Sequence, residues 1–114
     1  MPGTPFEASV RTEDNSTVVD LVGDIDRSAA AGLDAAYEEA AERSGRLILN
    51  FTNVDYINST GIAVIVGMLA KARAADRPVS AFGLSDHYRE IFAITRLSDF
   101  MEIHDDEQAA TAAV

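Results

Sequence analysis

The chain has no cysteine, no tryptophan and only three prolines. Without thiols there is no disulfide framework, no thiol chemistry and no cysteine-based zinc site. Basic residues are scarce. Nine Lys and Arg stand against nineteen Asp and Glu, a formal charge of −10. A field of that sign repels nucleic-acid phosphates and anionic membranes, and it suits a protein partner that presents a basic surface. Long hydrophobic runs are also missing: the longest, Ile62 to Ala70, falls far short of a membrane span. The opening Met1-Pro2-Gly3-Thr4-Pro5 lacks the basic and apolar regions of a signal peptide, so the expected location is the cytoplasm. Three Asn-x-Ser/Thr triplets, at Asn15, Asn50 and Asn58, therefore carry no meaning as glycosylation acceptors.

What is present fits one compact domain. The 114 residues are expected to form a single unit over 1–114, with an ordered core at about 6–110. Phe6 to Thr12 reads as a strand, Glu13-Asp14-Asn15-Ser16 as a turn, and Thr17 to Val22 as a second strand, together a hairpin. Ser28 to Ser44 is rich in Ala and Glu and reads as a helix stopped by Gly45, burying Leu33, Ala36, Tyr37, Ala40 and Ala41. Arg46 to Phe51 reads as a buried strand, Thr52 to Asn58 as a loop, and Thr60 to Ala75 as a helix. A strand over Pro78 to Phe82 and a helix from the Ser85 cap to about Leu97 follow. Then come a strand over Phe100 to His104 and a weakly anchored helix from Glu107 to Ala113. The order ββαβαβαβα predicts an α/β fold: a mixed sheet opened by an N-terminal hairpin, with helices packed against it.

No motif for stand-alone catalysis emerges. The only histidines, His87 and His104, fall on different elements and in no recognisable pattern. There is no Walker-type phosphate loop and no paired His-Glu spacing. Asp24, Asp26 and Asp55 sit at strand ends or in a loop, where they could converge on a magnesium ion or simply be solvated acids. No catalytic residue, metal ligand or cofactor is assigned.

The step Asn58-Ser59-Thr60-Gly61, set against the most apolar stretch of the chain, is different. The Ser59 hydroxyl can cap the following helix. It also lies at the positive end of a helix dipole, where a phosphate is stabilised. Gly61 is a costly residue for a first helical turn, and it leaves the backbone open to close approach. At a period of 3.6, Ile62, Ile65, Val66 and Leu69 share a core stripe, with Thr60, Val64, Gly67, Met68 and Lys71 opposite. Val64 and Met68 can pack on a neighbouring helix, or form an apolar docking patch beside Ser59.

These stretches resemble the STAS-domain anti-sigma factor antagonists of bacteria, over nearly the whole chain. Gly23-Asp24-Ile25-Asp26 is similar to the family's Gly-Glu-hydrophobic-Asp after the second strand. Asn53-Val54-Asp55-Tyr56-Ile57-Asn58-Ser59-Thr60-Gly61-Ile62 is similar to the segment carrying its Asp-Ser-Ser/Thr-Gly signature. Ile91-Phe92 and Thr95-Arg96-Leu97 resemble its helix end, and Phe100 to Ile103 its closing strand. The resemblance implies a phosphorylation-switched binding module, not an enzyme. Ser59 would be the serine phosphorylated by a partner that is both anti-sigma factor and ATP-dependent serine kinase, with Thr60 a second candidate. Unphosphorylated, such a protein binds that partner and frees a sigma factor; phosphorylated, it lets go, and a serine phosphatase resets it. Asp24, Asp26, Asn58, Ser59, Thr60, Gly61, Val64 and Met68 form the expected partner surface, on a monomer or weak homodimer. Two departures stand out: Asn58 replaces the usual aspartate, and Arg96 a frequent glycine. An alternative within the fold is a subunit of a stressosome-like or transport assembly that is never phosphorylated. A small metal-dependent enzyme using Asp24, Asp26 and Asp55 is the third class.

Overall fold

The computed structural model describes residues 3–43 and 45–112. Five strands run in the spatial order β1-β2-β3-β4-β5: β1 Glu7–Glu13, β2 Ser16–Ile25, β3 Arg46–Ile57, β4 Val79–Phe82 and β5 Glu102–His104. The helices are α1 Ala30–Ala41, α2 Ser59–Ala74, α3 Asp86–Ile94 and α4 Glu107–Ala112, with single 3-10 turns at Arg27–Ala29 and Leu97–Asp99. The expected order of elements is therefore observed, with displaced boundaries. The Ser44 and Ala113 ends expected for the first and last helices lie outside the described residues, as do Met1, Pro2 and Val114 of the expected domain.

β1 and β2 pair antiparallel, and every other neighbour pairs parallel. Asp14 and Asn15 join the hairpin with φ of 47° and 65°. Both central residues are left-handed, the conformation that matches the twist of the flanking strands and that Asn and Asp tolerate best. β3 corrects the expected loop over Thr52 to Asn58. It stays paired with β2 through register shifts beyond Asp20, as far as Ile25 opposite Ile57. Its polar far end is tolerated because β4 pairs only up to Asn50, so Thr52, Asn53 and Asp55 stand exposed. Ala41, expected in the buried stripe of α1, is exposed as well, while Leu33, Ala36, Tyr37 and Ala40 are buried.

Strand side chains alternate between two apolar layers. Val19, Leu21, Ile25, Leu47, Leu49 and Phe51 join α1, α2 and α3 in the main core, where Phe51 meets Phe92 edge-on at 5.7 Å between centroids. Val18, Ile48 and Phe82 point the other way, under Ala110 of α4. This two-sided burial explains why the β3 sequence is continuously apolar from Leu47 to Leu49.

The closing helix is better anchored than its six residues suggest. Arg11 on β1 donates from Nε to Asp20 Oδ2 at 2.7 Å and from Nη2 to Glu107 Oε1 at 2.6 Å. Asn50 Nδ2 donates to Asp20 Oδ1 at 2.8 Å. Burial alone would push the Asp20 carboxyl up, but the bonds from Arg11 and Asn50 hold it below its ordinary value. The bond from Arg11 likewise lowers Glu107. Both folded-state values are depressed, so this stabilisation is fully present above the ordinary carboxylate range, near pH 4, and is lost as pH falls below that range through the depressed folded-state values. Glu107→Gln is expected to loosen α4 at neutral pH by no more than about 1 kcal/mol, since the pairs are partly exposed. It should also flatten the acid-induced loss of α4 amide protection, read by hydrogen exchange. An unchanged acid profile would show that the Arg11 network does not hold the helix.

Candidate functional site

The site forms where β2 and β3 end together. Asn58 N donates to Ile25 O at 3.3 Å, which joins the two strand ends by backbone. The chain after Ile25 turns at Asp26, and the chain after Ile57 turns into α2. A shallow depression between them is lined by Asp26, Arg27, Ser28, Asn58 and Thr60.

Asn58, not Ser59, caps α2. Its Oδ1 accepts from Gly61 N at 2.8 Å and from Thr60 Oγ1 at 2.7 Å. This corrects the expectation that the Ser59 hydroxyl does the capping. Asn58 holds the extended backbone of an N-cap while Ser59 is already the first helical residue. Asparagine keeps the acceptor oxygen that an aspartate would supply, so the departure from the family pattern preserves the cap. The two hydroxyls are thereby distinguished. The Thr60 proton is committed to Asn58, whereas the exposed Ser59 hydroxyl makes no hydrogen bond among the described residues.

Gly61 serves the fold itself. It is buried, and a Cβ there would meet Ile25 O at 1.9 Å and Ile25 C at 2.6 Å. The close approach foreseen at this glycine is made, within the chain, by the end of β2.

Asp26 fits the expected surface. Its Oδ1 accepts from Ser28 N at 2.8 Å and from the Ser28 hydroxyl, capping the 3-10 turn. Those bonds hold its carboxyl below the ordinary value. Asp24 does not fit. It is only 8% exposed, because residues 3–6 cross over it: Asp24 N donates to Thr4 O at 3.1 Å, and Pro5 O lies 2.2 Å from where a Gly23 Cβ would stand. Asp55 lines a separate depression with Thr52, Ser85 and Tyr88. The three acids thus do not converge. Among the described residues, no group of three or more His, Asp or Glu is placed to hold a metal ion. His87 is exposed on α3, and His104 lies on the edge strand β5.

The expected docking patch is also corrected. Met68 is 2% exposed and belongs to the main core, and Val64 is half-buried against it. Their side of α2 faces α1, where Lys71 Nζ reaches Asp34 Oδ1 at 3.0 Å. The buried positions of α2 are Gly61, Ile65, Met68, Leu69 and Ala72. Val66, expected in the core, is exposed instead. With Ala70, Arg73, Thr95, Leu97 and Phe100 it lines an apolar groove beside α2, with Arg73 over the Phe100 ring at 5.2 Å. Arg96, in the preceding loop, takes φ 66°, a left-handed position at a helix end where glycine is favoured. Its Nε donates to Asp99 Oδ2 at 2.9 Å. Sequence reasoning missed Arg27, Ser28, Val66 and Phe100. For Val66 a signal existed: the small residues Gly61 and Ala72, not Ile62, mark the buried face.

The comparisons agree with this architecture. A family model described as "Mlab, STAS domain" matches residues 8–103. The chain is 35% identical over 88 residues to the anti-sigma-B factor antagonist of Listeria monocytogenes, covering 76% of this chain and 77% of that protein. In fold it is similar to an anti-sigma factor antagonist from Mycobacterium paratuberculosis, with TM-score 0.80 and 19% identity over 96% of this chain and 94% of that one. It is also similar to the Bacillus cell fate determinant SpoIIAA in its phosphorylated form, with TM-score 0.66 and 20% identity over 93% and 96% of the two chains.

Burial separates the two methyl-bearing faces of α2 experimentally. Met68→Lys is expected to destabilise the domain by more than about 3 kcal/mol, because it places an unpaired charge in the core. Val66→Lys should stay within about 0.5 kcal/mol of the parent, as exposed changes do. Urea unfolding of both variants measures this. Equal stabilities would contradict the assignment of faces.

Proposed function

The chain belongs to the STAS-domain family of anti-sigma factor antagonists, and on that premise we propose that it is a phosphorylation-switched binding module acting in the cytoplasm, without catalysis of its own. Unphosphorylated, it binds an anti-sigma factor that is also a serine kinase, and so releases a sigma factor to transcription. The partner transfers the γ-phosphoryl group of ATP to Ser59 Oγ; the hydroxyl proton leaves and ADP is the product. A serine phosphatase later hydrolyses the ester with water.

The observation that carries this reading is the state of the Ser59 hydroxyl. Ser59 is exposed and its hydroxyl has no hydrogen bond among the described residues, while Thr60 beside it is tied to the Asn58 cap. A nucleophile must be reachable and its proton removable, and of the two only Ser59 meets both requirements. The docking face that supports the reading follows the same helix. Residues three, four and seven apart share a face, so Ser59, Ile62, Val66 and Ala70 form one stripe leading from the phosphoacceptor to the Phe100 groove. Asp26 flanks its start as a negative contact for a basic partner.

The same stripe would serve a lasting partner in a stressosome-like or transport assembly, a reading favoured by the exposed Val66, Ile94 and Phe100. The two differ in their response to ATP.

A phosphate adds about −1.5 to −2 charge near neutral pH. At a helix start that charge meets unpaired N–H groups and costs the fold little. Between two docked surfaces it must be desolvated, which is expensive without a cation. With the cognate kinase and ATP, the chain is expected to gain one phosphate on Ser59. Thr60→Val should still be modified and Ser59→Ala should not. The phosphorylated protein should melt within a few degrees of the parent and bind its partner at least about tenfold more weakly, ~1.4 kcal/mol. Intact mass, calorimetry and affinity on one sample test this. A stable complex indifferent to ATP would select the assembly reading instead.

A further inference from the structure

We propose that Arg27 is the residue that holds the phosphate on Ser59, closing over it after transfer as an intramolecular arginine–phosphate pair. This deepens the phosphoacceptor reading of Ser59 and rests on it.

Arg27 stands out by what it does not do. The chain has nine basic side chains against nineteen acidic ones, so an unpaired cation is unexpected. Arg73 lies over the Phe100 ring, and the remaining basic side chains other than Arg27 each reach a carboxylate or a backbone carbonyl. The Arg27 guanidinium has no such partner among the described residues. Its sequence neighbour Asp26 is the obvious candidate, yet Asp26 Oδ1 is bonded to the backbone N–H and the hydroxyl of Ser28.

Arg27, an exposed residue, lines the depression together with Asn58 and Thr60, the residues on either side of Ser59. Backbone geometry keeps it there. Ile25 O accepts from Asn58 N, and Gly61 is pressed onto the same carbonyl, so the 3-10 turn at Arg27 and the first turn of α2 stay side by side. Asp26 lines the same depression, but among the described residues no carboxylate forms an ion pair with Arg27. A phosphate on Ser59 would supply a tetrahedral anion with several acceptor oxygens, which a planar guanidinium matches with two parallel N–H donors. The pair also offsets the repulsion that the phosphate feels from Asp26, which lines the same depression, in a chain of net charge −10. An ester held this way is partly shielded, so Arg27 acts on the lifetime of the phosphorylated state.

The test uses phosphoserine placed at position 59 by genetic encoding, so no kinase is involved. The full chain is prepared with Arg27, Arg27→Gln or Arg27→Lys, and the second ionisation of the phosphate is followed by phosphorus NMR at low salt. Asp24, Asp26, Asp55 and the α2 dipole are common to all three proteins, so their field cancels in the comparison. A nearby cation favours the dianion. The Arg27→Gln protein is therefore expected to titrate about 0.3–1 unit higher than the parent, a range discounted for exposure. Arg27→Lys should recover part of the difference, and concentrated salt should raise the parent value toward that of Arg27→Gln. A parent and an Arg27→Gln protein that titrate together, within about 0.1 unit at low salt, would overturn the proposal. Failure of the cognate kinase to modify Ser59 would count against the phosphoacceptor reading alone, because this titration does not depend on that kinase.

Discussion

The seat of α2 on the end of β2 is the contact on which the site depends. Gly61 lies so close to the Ile25 carbonyl that a Cβ would fall 1.9 Å from its oxygen, and Asn58 N donates to the same oxygen. Two backbones therefore meet without a side chain between them. That meeting sets the first turn of α2 against the 3-10 turn that carries Asp26 and Arg27. It also gives Ser59 a rigid mounting, since the cap at Asn58 and the core contact at Ile65 hold the helix on both sides of the serine. A hydroxyl presented in this way needs no rearrangement to be reached, and a phosphate added there has no packed neighbour to displace.

Charge works on two levels. On the far face of the sheet, Arg11 gathers Asp20 and Glu107 into a network that holds α4 over Val18, Ile48 and Phe82. There the cation is satisfied, and its role is structural. Near the head of α2 Arg27 has no ion-pair partner among the described residues, Asp26 caps the 3-10 turn and Asp24 is covered. A protein of net charge −10 resists further negative charge. Arg27, unpaired among the described residues and lining the depression with Asn58 and Thr60, lowers that resistance locally in the proposed phosphorylated state, without altering the sign of the surface that a basic partner meets.

Much of this was legible in the sequence. The order of elements, the hairpin at Asp14 and Asn15, and the start of a helix at the Asn58 to Gly61 step follow from local patterns that tertiary structure did not override. What was not legible depended on single-residue shifts or on contacts between distant segments. Whether Asn58 or Ser59 caps α2 turns on one residue of helix boundary. Successive helix positions differ by about 100°, so choosing Ile62 rather than Gly61 as the first buried position exchanged Met68 with Val66. The length of β3 beyond Phe51 was hidden because its polar residues are tolerated only where β4 no longer pairs. The role of Gly61 is invisible without knowing that β2 ends beneath it, and the cover over Asp24 comes from residues 3–6 on the far side of the hairpin.

The claim at the centre of this account is that backbone contact between Gly61 and Ile25 positions Ser59. Gly61→Ala tests it most directly, because one methyl group must then be placed against a carbonyl that cannot move aside cheaply. Backbone amide shifts and urea unfolding are measured on the parent and on the variant. The account expects a loss of about 1–3 kcal/mol, the usual range for overpacking, with the largest shift changes at Ile25, Asp26, Arg27, Asn58 and Ser59. A variant of parental stability with those amides unmoved would contradict it.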